Sequence, residues 1–116
     1  MASQVEVEQF LREFFVKYKI FNILFIERTN PKNAQTLLLL EISPAKRRTI
    51  IESLTFKDYV AGPLDDTLYG GSSLWVFGKA HQKEELYVKI SLGRPNSNVL
   101  CISFHIAEYS MSYPFK

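Results

Sequence analysis

The sequence is poor in the residues that hold small proteins together through covalent bonds or metals. It has one cysteine among 116 residues, Cys101, so no intramolecular disulfide can form. One Cys and two His at these spacings build no zinc site, and no metal or other cofactor is expected. Cys101 sits in an apolar, strand-like run, where a buried, inert thiol is the plain reading.

Long hydrophobic runs are missing too. The longest aliphatic stretch is Leu37 to Leu40, far short of the roughly 20 residues that a membrane-spanning helix needs, so no membrane partner is expected. The opening MASQVEVEQF is acidic and lacks the apolar core of a signal peptide, which points to a cytoplasmic protein. Charge of one sign is not in excess: 14 Lys+Arg stand against 12 Asp+Glu, a net +2. That balance permits a nucleic-acid partner without demanding one. There is no phosphate-cradling G-x-x-x-x-G-K pattern, no internal repeat and no low-complexity tract.

What is present makes a core. Hydrophobic residues are 47% of the chain and aromatics 14%, which argues against disorder, and the length fits one domain over residues 1–116. Ser3 followed by Glu6 reads as a capping box. Val7, Phe10, Leu11, Phe14 and Tyr18 recur at helical spacing, so a helix is predicted from Gln4 to about Tyr18. Phe21 to Arg28 reads as a strand and Asn30-Pro31 as a turn. Asn33 to Leu40 reads as a short helix buried on most sides, because Leu37 to Leu40 offer no polar face. Ser43-Pro44 opens a third helix with Ser at the cap and Pro in the first turn. It is expected to bury Ile50, Ile51 and Leu54 and to show Lys46, Arg47 and Arg48 to solvent, as a solvated basic face or a contact for an acidic partner or phosphates. Thr55 to Val60 is left open between strand and helix. Gly62-Pro63 is expected to break the chain, and 64–73, with its Gly-Gly pair, to be a loop. Asp65 and Asp66 in that loop are turn residues, with paired acid–base carboxylates as the alternative.

From Leu74 the pattern changes to period two. Strands are predicted at Leu74–Ala80, Glu85–Leu92 and Asn98–Ile106, joined by His81–Glu84 and Gly93–Ser97. Short connections favour antiparallel pairing, so the fold class is α+β: N-terminal helices packed on a small, twisted antiparallel sheet. Alternation sorts Leu86, Val88, Ile90 and Leu92 to one face, together with Leu100, Ile102, Phe104 and Ile106. The other face gathers Tyr87, Lys89, Ser103 and His105, with Lys79 expected from the neighbouring strand. A solvated sheet face carries such residues routinely. They also suit metal-free RNA cleavage, which needs an acid and a base for the two oxygens and cations for the pentavalent phosphorus. His81 reads as an exposed loop residue.

Four stretches carry a likeness: LTFKDYVAGP at Leu54–Pro63, LWVFGK at Leu74–Lys79, ELYVKISLG at Glu85–Gly93 and VLCISFHIAEYSMSYPF at Val99–Phe115. With the upstream RTNPKNAQTL and ISPAKRR they resemble toxins of bacterial type II toxin–antitoxin systems, of the MqsR family and the ParE-like members of the RelE/ParE superfamily. The resemblance implies a RelE-like fold, a metal-independent endoribonuclease (an mRNA interferase) acting on free or ribosome-bound mRNA, and a cognate antitoxin that neutralises it. MqsR toxins carry a Lys, a Gln, a Tyr and a second Lys around the site. Tyr87 matches the Tyr, His105 stands where the second Lys falls, Val76 where the Gln is expected, and Val60 or Ala61 near the first Lys. The implied site is then a rearranged one. His105 is acid or base, Lys89 and Lys79 steady the phosphate, Tyr87 orients or stacks the substrate, and Tyr109 and Ser103 contact RNA. The alternatives are a non-enzymatic, ParE-like gyrase inhibitor or a plain interaction module of the same fold.

Overall fold

A computed structural model describes residues 1–26, 31–69 and 71–116. The end of the predicted Phe21–Arg28 strand, Asn30 of the predicted turn and the first glycine of the Gly-Gly pair lie outside the described residues. The elements run α1 (Gln4–Phe21), β1 (Ile23–Phe25), α2 (Lys32–Leu39), α3 (Pro44–Glu52), a 3-10 turn (Phe56–Asp58), β2 (Tyr59–Leu64), β3 (Leu74–His81), β4 (Glu84–Ser91) and β5 (Val99–Ile106).

Helix α1 begins where its chemistry says it must. The Ser3 hydroxyl accepts from the Glu6 N–H and the Glu6 carboxylate accepts from the Ser3 N–H, which satisfies donors that the first helical turn leaves without partners. One stripe, Val7, Phe10, Leu11 and Phe14, is buried against the sheet. Phe14 is completely buried, worth about 1.5–3 kcal/mol relative to exposure. Phe10 stacks on Trp75 at 4.6 Å, and Tyr59 meets Phe77 edge-on at 6.2 Å. Ser43 caps α3 as its sequence requires, accepting from the Lys46 N–H.

The sheet has five strands in the order β1-β5-β4-β3-β2. It is mixed rather than wholly antiparallel: β2 to β5 pair antiparallel with their neighbours, but β1 lies parallel to β5. The reason is the long path between these two strands, which carries the chain through α2, α3 and β2 to β4 before it returns beside β1. The β3–β4 hairpin closes on Gln82 and Lys83, both at positive φ (49° and 68°), the backbone of a tight two-residue turn. Gly62 and Pro63 do not break the chain but lie inside β2, an edge strand, where a residue without an N–H is tolerated. Gly62 has φ +120°, and a side chain there would stand 2.8 Å from the Leu74 carbonyl oxygen.

Three expectations about faces need correction. First, β5 carries a bulge: Lys89 pairs with Ser103 but Ile90 pairs with Cys101, leaving Ile102 as the extra residue. The strand therefore turns over halfway. Val99, Cys101 and Phe104 face the α1 core, whereas Leu100 and Ile102 join Leu74 in a second cluster on the other face. Second, α2 is not buried on most sides. Leu38 and Leu39 are 82% and 71% exposed, because α2 lies along the edge of β5. There Asn33 Oδ1 accepts from the Phe104 N–H (3.1 Å), Asn33 Nδ2 donates to the Ile102 carbonyl (3.5 Å) and Thr36 Oγ1 accepts from the Ile106 N–H (3.0 Å). These polar side chains stand in for a neighbouring strand beyond the end of β1. Third, the basic run of α3 is not all solvated. The Arg47 guanidinium lies 3.5 Å over the Phe25 ring, and Arg48 donates to Asn22 Oδ1 at 2.5 Å.

Candidate functional site

The face of the sheet away from α1 carries the candidate residues Tyr87, Lys89 and His105. Cross-strand pairing sets Tyr87 opposite His105 and Lys89 opposite Ser103. The Tyr87 and His105 rings stack at 5.0 Å between centroids with planes 12° apart, and Lys89 Nζ stands 5.8 Å from the centre of the Tyr87 ring. All three side chains are half-buried, which shields them partly from water yet leaves an approach. His105 Nδ1 lies 2.9 Å from the Ile106 carbonyl. A carbonyl only accepts, so Nδ1 carries the hydrogen and Nε2 of the neutral ring is the basic nitrogen.

Lys79 does not belong to this group. The two-residue turn pairs Lys79 with Leu86 and Phe77 with Val88, so Lys79 shares the α1 face. There it forms an ion pair with Asp58 at 3.1 Å and donates to the Ser53 carbonyl at 3.3 Å. Ser103 is on the expected face but only 3% exposed, which leaves it little surface to offer a ligand. Tyr109 follows β5 and is 71% exposed. Asp66 is a turn residue: its carboxylate accepts from the N–H groups of Leu68, Tyr69 and Gly71. Slight burial works to raise its pKa, but these three donors outweigh it and hold the carboxyl below the ordinary range. His81 is half-buried at the end of β3 rather than in a loop.

Several residues around the site carried no signal in the sequence. Beside His105 a groove of about 220 Å³ runs between α2 and the end of β5, lined by Lys32, Gln35, Thr36, Leu39, Ile106 and Glu108. Lys32 and Glu108 form an ion pair across it. The hydrogen bond from Lys32, then its charge, holds the Glu108 carboxyl below its usual range. These two residues are far apart in the chain, so only the fold reveals them. Glu85 was accessible to alternation, since it lies two residues before Tyr87 on the same strand face. Among the described residues no group of three or more His, Cys, Asp or Glu is arranged to hold a metal ion, and no helix is long and apolar enough to cross a membrane.

The arrangement offers one imidazole with a basic nitrogen, one ammonium and one aromatic face, all on a single sheet surface. Comparison with protein-family models, with curated proteins and with solved structures finds no match to this chain.

Proposed function

We propose that this chain is the toxin of a type II toxin–antitoxin pair, an MqsR-like endoribonuclease of RelE-like fold that acts on mRNA in the cytoplasm and is neutralised by a cognate antitoxin. The observation that carries the reading is the stacked Tyr87–His105 pair with Lys89 beside it, since Tyr87 and His105 lie within the LYVKI and SFH strings of the resemblance. In this reading Nε2 of His105 takes the 2′-hydroxyl proton of the substrate while water protonates the departing 5′-oxygen, or the protonated ring delivers the latter proton while water takes the former. The 2′-oxygen attacks phosphorus, the bond to the 5′-oxygen breaks, and a 2′,3′-cyclic phosphate and a free 5′-hydroxyl result. Lys89 stabilises the charge that builds on the phosphoryl oxygens. The Tyr87 ring orients a base or the ribose, and Tyr109 offers a second stacking surface.

The test is induced expression in bacteria with wild-type and His105→Ala chains, followed by primer extension on cellular RNA. Discrete new 5′ ends and growth arrest with wild type, both lost in a folded His105→Ala variant, are the expected result. Arrest with DNA damage and no new RNA ends would establish the gyrase-inhibitor alternative instead. A folded His105→Ala variant as toxic as wild type would remove His105 from the site.

A further inference from the structure

Across β3, β4 and β5 one row of the candidate face reads Gly78, Tyr87, His105. A row on a sheet face normally holds three side chains shoulder to shoulder. Here the first place has none, yet it is filled. A Cβ added to Gly78 would stand 2.1 Å from Tyr113 Oη and 2.8 Å from Met111 Cε, so the C-terminal segment occupies the position beside Tyr87 that a β3 side chain would otherwise take.

Three hydrogen bonds to one residue hold that segment. Glu85 Oε1 accepts from the Met111 N–H at 3.2 Å and Oε2 from the Tyr113 hydroxyl at 2.7 Å. The Glu85 carbonyl accepts from the Ala107 N–H at 2.7 Å. Glu85 stands two residues before Tyr87, on its face of β4. Beyond the latch, Phe115 packs on Tyr59 at 5.6 Å, which ties the end of the segment to the core.

We infer that residues 107–116 form a strap that positions Tyr87 against His105, with Glu85 as its latch and Gly78 as the gap that admits it. The strap walls off the β3 side of Tyr87, and the ring then leans on the imidazole across β5. Glu85 and Tyr113 are positioning residues that touch no substrate. The functional meaning rests on reading Tyr87 and His105 as the site, but the geometry does not, and it is tested without RNA.

The experiment is NMR of the full chain, reading the ring protons of Tyr87 and His105 and the amides of the strap. Stacking at this distance shifts the His105 ring protons upfield. Glu85→Ala and Tyr113→Phe are each expected to loosen the strap amides and to remove much of that upfield shift, while the Trp75 indole signal stays in place and reports an intact core. Gly78→Ala, which changes neither Glu85 nor Tyr113 but fills the gap against the Tyr113 hydroxyl, is expected to do the same. Should Glu85→Ala fail to fold, Tyr113→Phe, which deletes a single hydroxyl, decides the matter. A released strap with unchanged His105 ring shifts, or a strap that stays bound without its latch, would overturn the inference. Loss of RNA cleavage in His105→Ala bears on the function alone, so the two readings fail separately.

Discussion

Lys79 and Asp58 are joined at 3.1 Å on the helix-covered face of the sheet, the side opposite Lys89 and His105. Asp58 itself closes a capping box on Thr55, whose N–H it accepts at 2.9 Å. The pair therefore braces the approach to β2. Lys79→Ala is expected to cost about 1 kcal/mol of stability, the upper end for a partly exposed ion pair, seen as a lower urea midpoint with unchanged slope. On the proposed ribonuclease function, cleavage by the folded fraction should stay within a few-fold of wild type. A folded Lys79→Ala chain that cleaves no RNA would return Lys79 to the site.

Asn33 and Thr36 satisfy the backbone of β5 beyond the end of β1. Asn33→Leu leaves the N–H of the buried Phe104 without its acceptor, an expected loss of about 1–3 kcal/mol. Hydrogen exchange is the direct check: the Phe104 amide should exchange much faster in the variant, while the Val88 amide, inside the β3–β4–β5 ladders, should slow or quicken only with global stability.

The Arg47 guanidinium lies 3.5 Å over the Phe25 ring and ties α3 to β1. Arg47→Ala should cost about 1–2 kcal/mol, the range for a partly desolvated cation over an aromatic face. Arg47→Lys should recover less than half of it, since an ammonium cannot stack as a planar guanidinium does. Thermal denaturation of the two variants side by side measures both numbers.

Alkaline pH should destabilise the fold through two phenols. Burial first, then the hydrogen bond and charge of Glu85, push the Tyr113 pKa upward. Burial and the Glu52 hydrogen bond raise that of Tyr18. An acid whose pKa is higher in the folded state keeps its proton longer there than in the unfolded chain. The stabilisation is therefore complete below the unfolded value near 10 and is lost as pH climbs above it. Tyr113→Phe and Tyr18→Phe should each flatten the fall of stability between about pH 9 and 11. Identical slopes in wild type and the double variant would refute the assignment.

Much of this molecule was legible in local chemistry. The Ser3–Glu6 box, the Phe10 and Phe14 stripe, the Ser43 cap and the three long strands all follow from short-range rules, because the residues that decide them lie within a few positions of one another. The site was only half legible. Alternation tells which residues of one strand share a face, but not which face of the next strand they join. Placing Lys79 needed the length of the turn: with only Gln82 and Lys83 between the strands, an odd-numbered residue of β3 meets an even-numbered one of β4. The bulge at Ile102 broke the same rule within β5, and nothing in VLCISFHI marks it. Strict alternation would place Val99 and Cys101 with His105, whereas the extra residue lets the first two enter the core while the imidazole turns outward to Tyr87.

The way α2 lies along β5 has a consequence for the protein in a crowded solution. Beyond the end of β1, the outer rim of β5 would present a row of unmet N–H and C=O groups, the template on which a strand from another copy could grow. Asn33 and Thr36 occupy that rim with side chains, and side chains, unlike a strand, expose no fresh row of their own. The sheet therefore ends there instead of extending from one molecule to the next.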